Sequence, residues 1–149
     1  MKVNSPSHFL TRGLTRNAAG KVFQAWKALV AAYSVDKIDE LRKLFPGKKK
    51  LRGFRTRIEK VHWIVAVIPT TVLKPIAQVI GSDIDIYTNI ALWIYEHQYN
   101  GPDIQGILSP YPNDDSVTRG IRTLINKGNS QTKPYNNFMN ISNNELLIS

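Results

Sequence analysis

Residues 82–100 read SDIDIYTNIALWIYEHQYN, and this stretch decides the fold class. Its apolar residues recur at the three- and four-residue spacing of one helix face, at Ile84, Tyr87, Ile90, Ala91, Ile94 and Tyr95. Ser82 suits an N-cap, and Asp83 and Asp85 fall in the first turn, where the helix dipole favours anions. The sequence NGP at 100–102 ends the pattern. We therefore predict a long helix here and a chain that is mostly helical.

The flanking segments extend this prediction in both directions. The spacing predicts helices over 17–34, over a short stretch that Asp36 caps and Pro46 stops, over 56–68, from Thr70 or Thr71 to Ile80, at 103–108 and over 116–127. Residues 56–68 are rich enough in Val, Ile and Trp to leave a strand possible. Residues 61–80 have the length of a membrane span, but His62, Lys74 and two prolines interrupt them, which favours two shorter buried helices.

These elements predict an all-α protein, a small helical bundle of one domain at residues 17–128. Residues 1–16 show no sustained periodicity and are expected to form an extended basic N-terminal arm. Residues 129–149 include six asparagines and are expected to form an irregular polar C-terminal tail.

Charge is the unusual feature of the composition. The 149 residues carry a formal net charge of +9, and residues 1–60 hold 15 basic against 4 acidic side chains. Such an excess indicates a polyanionic partner. Cysteine is absent, which excludes disulfides and thiolate chemistry. Residues 1–20 lack the apolar stretch of a signal peptide, so we expect synthesis in the cytoplasm.

Candidate catalytic and metal-binding residues are few. Glu59 and His62 form one ExxH pair, but the second pair that a di-iron site needs is missing. The pairs Asp83 with Asp85 and Asp114 with Asp115 fit helix termini better than a Mg²⁺ site. Glu96 and His97 are adjacent and point about 100° apart on a helix. We predict no enzyme activity, no catalytic residue, no metal and no cofactor.

The segment FPGKKKLRGFRTRIEK at 45–60 contains seven Lys or Arg residues and one Glu. Like charges at this density are best tolerated where an anionic partner supplies the counter-charge. Lys meets phosphate as a point charge and Arg as a bidentate fork. We therefore predict that this segment binds the phosphate backbone of a nucleic acid without sequence selectivity, through Lys48, Lys49, Lys50, Arg52, Arg55, Arg57 and Lys60.

The three tryptophans, Trp26, Trp63 and Trp93, each fall on an apolar helical face. This placement favours core or subunit-interface positions over base-stacking platforms.

Two blocks resemble the major capsid proteins of filamentous archaeal viruses, the rudiviruses, lipothrixviruses and tristromaviruses. They are KVFQAWKALVAAYS at 21–34 and IGSDIDIYTNIALWIYEHQYNGPDIQGILSP at 80–110. The resemblance implies a virion nucleocapsid protein that pairs with itself or a paralogue and polymerises helically on linear double-stranded DNA in the A form. It further implies DNA contacts from Arg12, Arg16, Lys21 and Lys27, and an envelope around some relatives.

Two other functions also fit the charge. An architectural DNA-binding protein would use the same cations without building a regular shell. A membrane-surface matrix protein would place them against anionic lipid, with residues 61–80 as an anchor.

Overall fold

The computed structural model describes residues 15–101, 105 and 110–132. Of these residues 78% are helical, which confirms the predicted fold class. Six α-helices are present in this part of the chain: α1 (Thr15–Ser34), α2 (Ile38–Leu44), α3 (Lys60–Val67), α4 (Leu73–Ile80), α5 (Ser82–Asn100) and α6 (Asp114–Thr132). Short 3-10 turns, Val35–Lys37 and Thr70–Val72, precede α2 and α4.

Two of these helices have bounds that differ from the prediction. Helix α1 begins at Thr15, so the last two residues expected in the arm are already helical. Helix α6 runs from Asp114 to Thr132 and so begins earlier and ends later than predicted. The rest of the arm, the tail from residue 133 and most of the short helix predicted at 103–108 lie outside the described residues.

A two-stranded antiparallel hairpin interrupts the helices. Strands β1 (Lys48–Lys50) and β2 (Arg57–Glu59) pair with Lys48 opposite Glu59, Lys49 opposite Ile58 and Lys50 opposite Arg57. The predicted helix from residue 56 is therefore wrong in its first turn. Helix α3 begins only at Lys60, whose amide donates to the carbonyl of Gly47 across the base of the hairpin, at 2.9 Å.

The chain divides into two compact units. The central unit is Lys27–Thr88, and the terminal unit combines Met1–Trp26 with Asn89–Ser149. Within the terminal unit, α1, α5 and α6 bury mainly aliphatic residues and alanines. The Phe23 and Tyr95 rings lie 4.6 Å apart, and Tyr95 and Tyr99 4.9 Å apart, at separations favourable for aromatic pairs. Trp26 is fully buried, as predicted for a core residue.

The core of the central unit comes from helices α1 to α5, through Leu29, Val30, Leu41, Val61, Ile64, Ile68, Leu73, Ile76, Ala77 and Ile84. Helix α3 ends at Val67, and the next residue, Ile68, adopts a left-handed conformation with φ of 44°. The segments Lys60–Val67 and Thr70–Ile80 are bent by 103° relative to each other. The prediction of two short helices at 61–80 is thus confirmed.

No single helix among the described residues is long and apolar enough to cross a membrane. The bent pair of Lys60–Val67 and Thr70–Ile80 meets that test jointly, by length and composition alone.

Candidate nucleic-acid interface

The hairpin is closed by a tight turn at Leu51 to Phe54. The amide of Phe54 donates to the carbonyl of Leu51 at 3.1 Å, and Gly53 has a φ of +83°. Only glycine adopts that conformation without strain, which makes Gly53 the residue that permits the turn. The turn brings two runs of cationic residues into one antiparallel ribbon.

Side chains alternate between the two faces of a strand. One face of the hairpin therefore carries Lys48, Lys50, Arg57 and Glu59, and the opposite face carries Lys49 and Ile58. The Lys49 Nζ lies 3.9 Å from the centre of the Trp63 ring, within the range of a cation–π interaction. Lys49 thus fastens the hairpin to α3, and the lysines on either side of it are exposed.

Glu59 is the sole carboxylate of segment 45–60, and residues outside that segment engage it. Its Oε2 accepts a 2.7 Å hydrogen bond from Arg42 Nε, and its Oε1 lies 3.3 Å from His62 Nε2. The hydrogen bond from Arg42 lowers the pKa of Glu59 below its ordinary value, although partial burial opposes the shift. Glu59 therefore stays anionic at neutral pH, with its charge directed to Arg42 on α2.

The remaining cations of the hairpin have no such partner. Among residues 15–101, 105 and 110–132, no carboxylate forms an ion pair with the six exposed side chains Lys48, Lys50, Arg52, Arg55, Arg57 and Lys60. We call these six residues the cationic hairpin surface. Their charges repel one another, and a bound polyanion would relieve that repulsion.

Arg16 is exposed on α1 and binds the end of α5. Its Nε donates to the carbonyl of Gln98 at 3.0 Å, and a terminal guanidinium nitrogen donates to the carbonyl of Tyr99 at 2.7 Å. These carbonyls belong to the last turn of α5, where a helix leaves acceptors unpaired and favours positive charge. Arg16 therefore caps α5.

The other N-terminal residues predicted to contact DNA lie on α1 or outside the described residues. Lys21 and Lys27 are half-buried on α1, and both take part in interactions within the molecule. Arg12 lies outside the described residues.

Side-chain hydrogen bonds form at the starts of α5 and α6. Lys74 binds both the carboxylate and the carbonyl oxygen of Asp85 in the first turn of α5. At the start of α6, the amide of Ser116 donates to Asn113 Oδ1 at 2.9 Å. Within the described ranges, no group of three His, Cys, Asp or Glu residues is arranged to hold a metal ion.

His97, which the sequence reasoning treated only as a neighbour of Glu96, is fully buried on α5. Its Nε2 lies 3.4 Å from the Asp114 carboxylate, close enough for electrostatic attraction. Neither ring nitrogen makes a well-formed hydrogen bond with a described residue, so we treat the contact as electrostatic. Burial lowers the pKa of His97, and Asp114 offsets this in part. The helical spacing from Ala91 and Ile94 was the available signal for its burial.

Fold and site together define a small helical protein that carries a cationic β-hairpin. A family model describes the archaeal PaREP1/PaREP8 family and matches residues 3–122, so the chain belongs to that family. A search of curated proteins and a search of solved structures each gave no match.

The family match overturns the resemblance to capsid proteins of filamentous archaeal viruses. The two blocks behind that resemblance, residues 21–34 and 80–110, contain α1 from Lys21 onward and the whole of α5. Their shared pattern is the aromatic and aliphatic spacing of any amphipathic helix, which is common to many unrelated helical proteins. The description as a virion, nucleocapsid or filament-forming capsid protein on A-form DNA is accordingly wrong.

Proposed function

We propose that the protein binds the phosphate backbone of double-stranded DNA, without sequence selectivity, through the cationic hairpin surface. The observation that carries the proposal is that six exposed Lys and Arg side chains, five on one short hairpin and Lys60 directly after it, pair with no carboxylate of the described residues. The proposal makes the protein an architectural DNA-binding protein.

The chemistry of the surface suits a polyphosphate. Arg52, Arg55 and Arg57 offer planar forks that meet phosphate oxygens bidentately, and the lysines add point charges that tolerate varied geometry. A two-stranded ribbon is also narrow enough to enter a DNA groove about 12 Å wide. Contacts of this kind position a protein on a duplex and read no bases, which supports binding to DNA of any sequence.

Salt dependence gives the proposal a quantitative form. Each neutralised phosphate contributes a slope of about −0.9 to the plot of log affinity against log salt. If all six side chains contact phosphate, the slope is about −5, and affinity falls by about a thousandfold between 50 and 200 mM salt.

The experiment measures binding of labelled duplexes of unrelated sequence by fluorescence anisotropy across this salt range. The variant Lys50→Gln/Arg57→Gln removes two charges that face each other across the hairpin. We expect it to reduce the magnitude of the slope by about 2 units and to weaken binding to every duplex alike.

The matched control is Lys43→Gln/Arg119→Gln, which removes two exposed charges, one on α2 and one on α6. It should leave the slope within about half a unit of the original. Equal effects of the two double variants would show that net charge, and no particular surface, governs binding.

Anionic lipid is the competing polyanion, because a basic patch is attracted to either partner. Flotation with phosphatidylserine vesicles, with and without excess duplex, separates the two. Two results together would replace the proposal by a membrane-surface function. The protein would bind vesicles even in the presence of excess DNA, and its affinity for DNA would not depend on salt.

A further inference from the structure

Phe54 occupies the tip of the hairpin with its ring in solvent. Its side chain is 62% exposed, although the other large apolar residues of the hairpin, Leu51 and Ile58, are half-buried. The turn at Gly53 fixes the backbone of Phe54 through the hydrogen bond to Leu51. The fold therefore holds an uncovered aromatic ring at the end of its most cationic element.

Arg52 and Arg55 lie on either side of this ring in the sequence, and both are exposed. No described residue forms a ring or cation–π contact with Phe54. An aromatic side chain between two free guanidinium groups combines a flat apolar face with two phosphate-binding forks. This combination fits nucleic acid, in which flat bases alternate with phosphates.

A lipid bilayer fits the tip less well. Interfacial binding grows with the apolar area that enters the membrane, and here one ring is surrounded by Arg52, Gly53, Arg55 and Thr56. A base step, in contrast, accepts a single apolar wedge, and proteins that bend DNA commonly insert one Phe, Leu, Ile, Met or Pro side chain.

We infer that Phe54 acts as a wedge that enters between neighbouring bases, with Arg52 and Arg55 against the flanking phosphates. This inference rests on the proposed DNA-binding function and deepens it. Insertion requires that a base step open, so a duplex whose stacking is already broken should bind more tightly than a perfect one. The protein would thus prefer bulged DNA while remaining indifferent to sequence.

The experiment compares the dissociation constants for a perfect duplex and for the same duplex with a two-base bulge. For the natural protein we expect a preference for the bulge of about 5- to 100-fold, the range that corresponds to one base–aromatic stack. Phe54→Ala should abolish this preference and keep the salt slope, because every cation of the hairpin is retained. Phe54→Trp should retain the preference.

Ile86→Ala is the matched control, since Ile86 is also 62% exposed but lies on α5. It should keep both the preference and the slope. Circular dichroism and thermal unfolding of each variant check the fold.

The outcomes separate the wedge from the proposed function. If the natural protein binds with a steep salt slope and Phe54→Ala keeps the preference for the bulge, the wedge is refuted and DNA binding stands. If no duplex binds in a salt-dependent way, both proposals fail. If Phe54→Ala loses binding to anionic vesicles and keeps its preference for bulged DNA, the ring serves a bilayer and the wedge is refuted.

Discussion

Arg42 on α2 and Glu59 at the end of β2 share a 2.7 Å hydrogen bond that joins the hairpin to the helix before it. Arg42 also binds Asp39 at 2.7 Å, so one guanidinium serves two carboxylates. The hydrogen bonds to Glu59 and Asp39 both raise the pKa of Arg42, and the bond from Arg42 lowers the pKa of Glu59. The arrangement fixes the base of the hairpin and leaves the charges nearer its tip for a partner.

Glu59→Gln should therefore have two opposite effects. It removes the ion pair with Arg42, which should lower the midpoint of thermal unfolding, and it makes the hairpin more positive, which should tighten binding to duplex DNA at low salt. Glu40→Gln makes the same change of charge at the exposed partner of Lys37 and should alter both quantities less.

The pH dependence of that pair has a defined sign. Because the pKa of folded Glu59 lies below its ordinary value of 4.5, the ion pair stabilises the fold fully above that value. The stabilisation is lost as the pH falls through the lowered pKa. Glu59→Gln should remove the part of the acid-induced loss of stability that comes from this ion pair. If the variant loses stability with falling pH as the natural protein does, the ion pair does not make that contribution.

The helices could be predicted from the sequence because each buries a periodic face. The spacing of Val22, Phe23, Trp26, Leu29, Val30 and Tyr33 predicted α1; the first five are buried, and Tyr33 is half-buried. The hairpin was missed because each strand has three residues, too few to establish a period, and β1 consists entirely of lysine. The signal that could have revealed it was Gly53 between two short cationic runs.

The cap at the end of α5 could not be predicted for a different reason. Arg16 and the carbonyl of Gln98 are 82 residues apart in the chain, and a single sequence gives no measure of such proximity. The cationic segment itself was visible, because a local density of charge needs no tertiary information. The orientation of Lys49 toward Trp63 became evident only from the register of the strands.

Arg16→Gln tests whether this arginine is a cap. It removes two charged hydrogen bonds to the last turn of α5, and at this exposed position we expect a loss of about 1–2 kcal/mol in the free energy of unfolding, measured in urea. The salt slope for DNA should change by less than one unit. Arg119→Gln, an exposed change on α6, should leave stability within about 0.5 kcal/mol. If Arg16→Gln instead flattens the slope without loss of stability, Arg16 contacts phosphate.

Substitution by alanine should affect the stability of the fold differently at two helical glycines, Gly120 and Gly20. A Cβ on Gly120 would lie 2.8 Å from Tyr111 Cζ and closer still to its Oη, and Tyr111 is buried. A Cβ on Gly20 would meet the terminal amide of Gln98, which can rotate away. We expect Gly120→Ala to destabilise the fold by about 1–3 kcal/mol. Gly20→Ala should be neutral or stabilising by up to about 1 kcal/mol, through its higher helix propensity.

Urea unfolding of both variants measures the difference, and Gly120→Ala combined with Tyr111→Phe provides a check on its cause. Removal of the hydroxyl withdraws the atom nearest to the new methyl group. The double variant should therefore lose less stability than the two single changes added together. Strict additivity would show that Tyr111 is not the source of the clash.

His97 should make stability depend on pH near neutrality. Burial lowers its pKa below the ordinary value of 6.5, the Asp114 carboxylate opposes the shift, and the charge of Arg16 reinforces it. A histidine whose pKa is lower in the folded state binds fewer protons there than in the unfolded state. The stabilisation that neutral, buried His97 gives the folded state is complete above pH 6.5. That stabilisation is lost as the pH falls through the lowered pKa of His97.

Urea unfolding measured from pH 7.5 to 5 should therefore show a falling free energy of unfolding, with a slope of up to about 1.4 kcal/mol per pH unit from this one group. His97→Leu should remove the slope, because a neutral side chain has no proton to bind. Asp114→Asn removes the anion that favours imidazolium, so it should make the slope steeper. His62→Gln, at an exposed histidine, controls for the other imidazole of the described residues, and it should leave the slope in place. A slope that persists in His97→Leu would show that another group controls stability in this range.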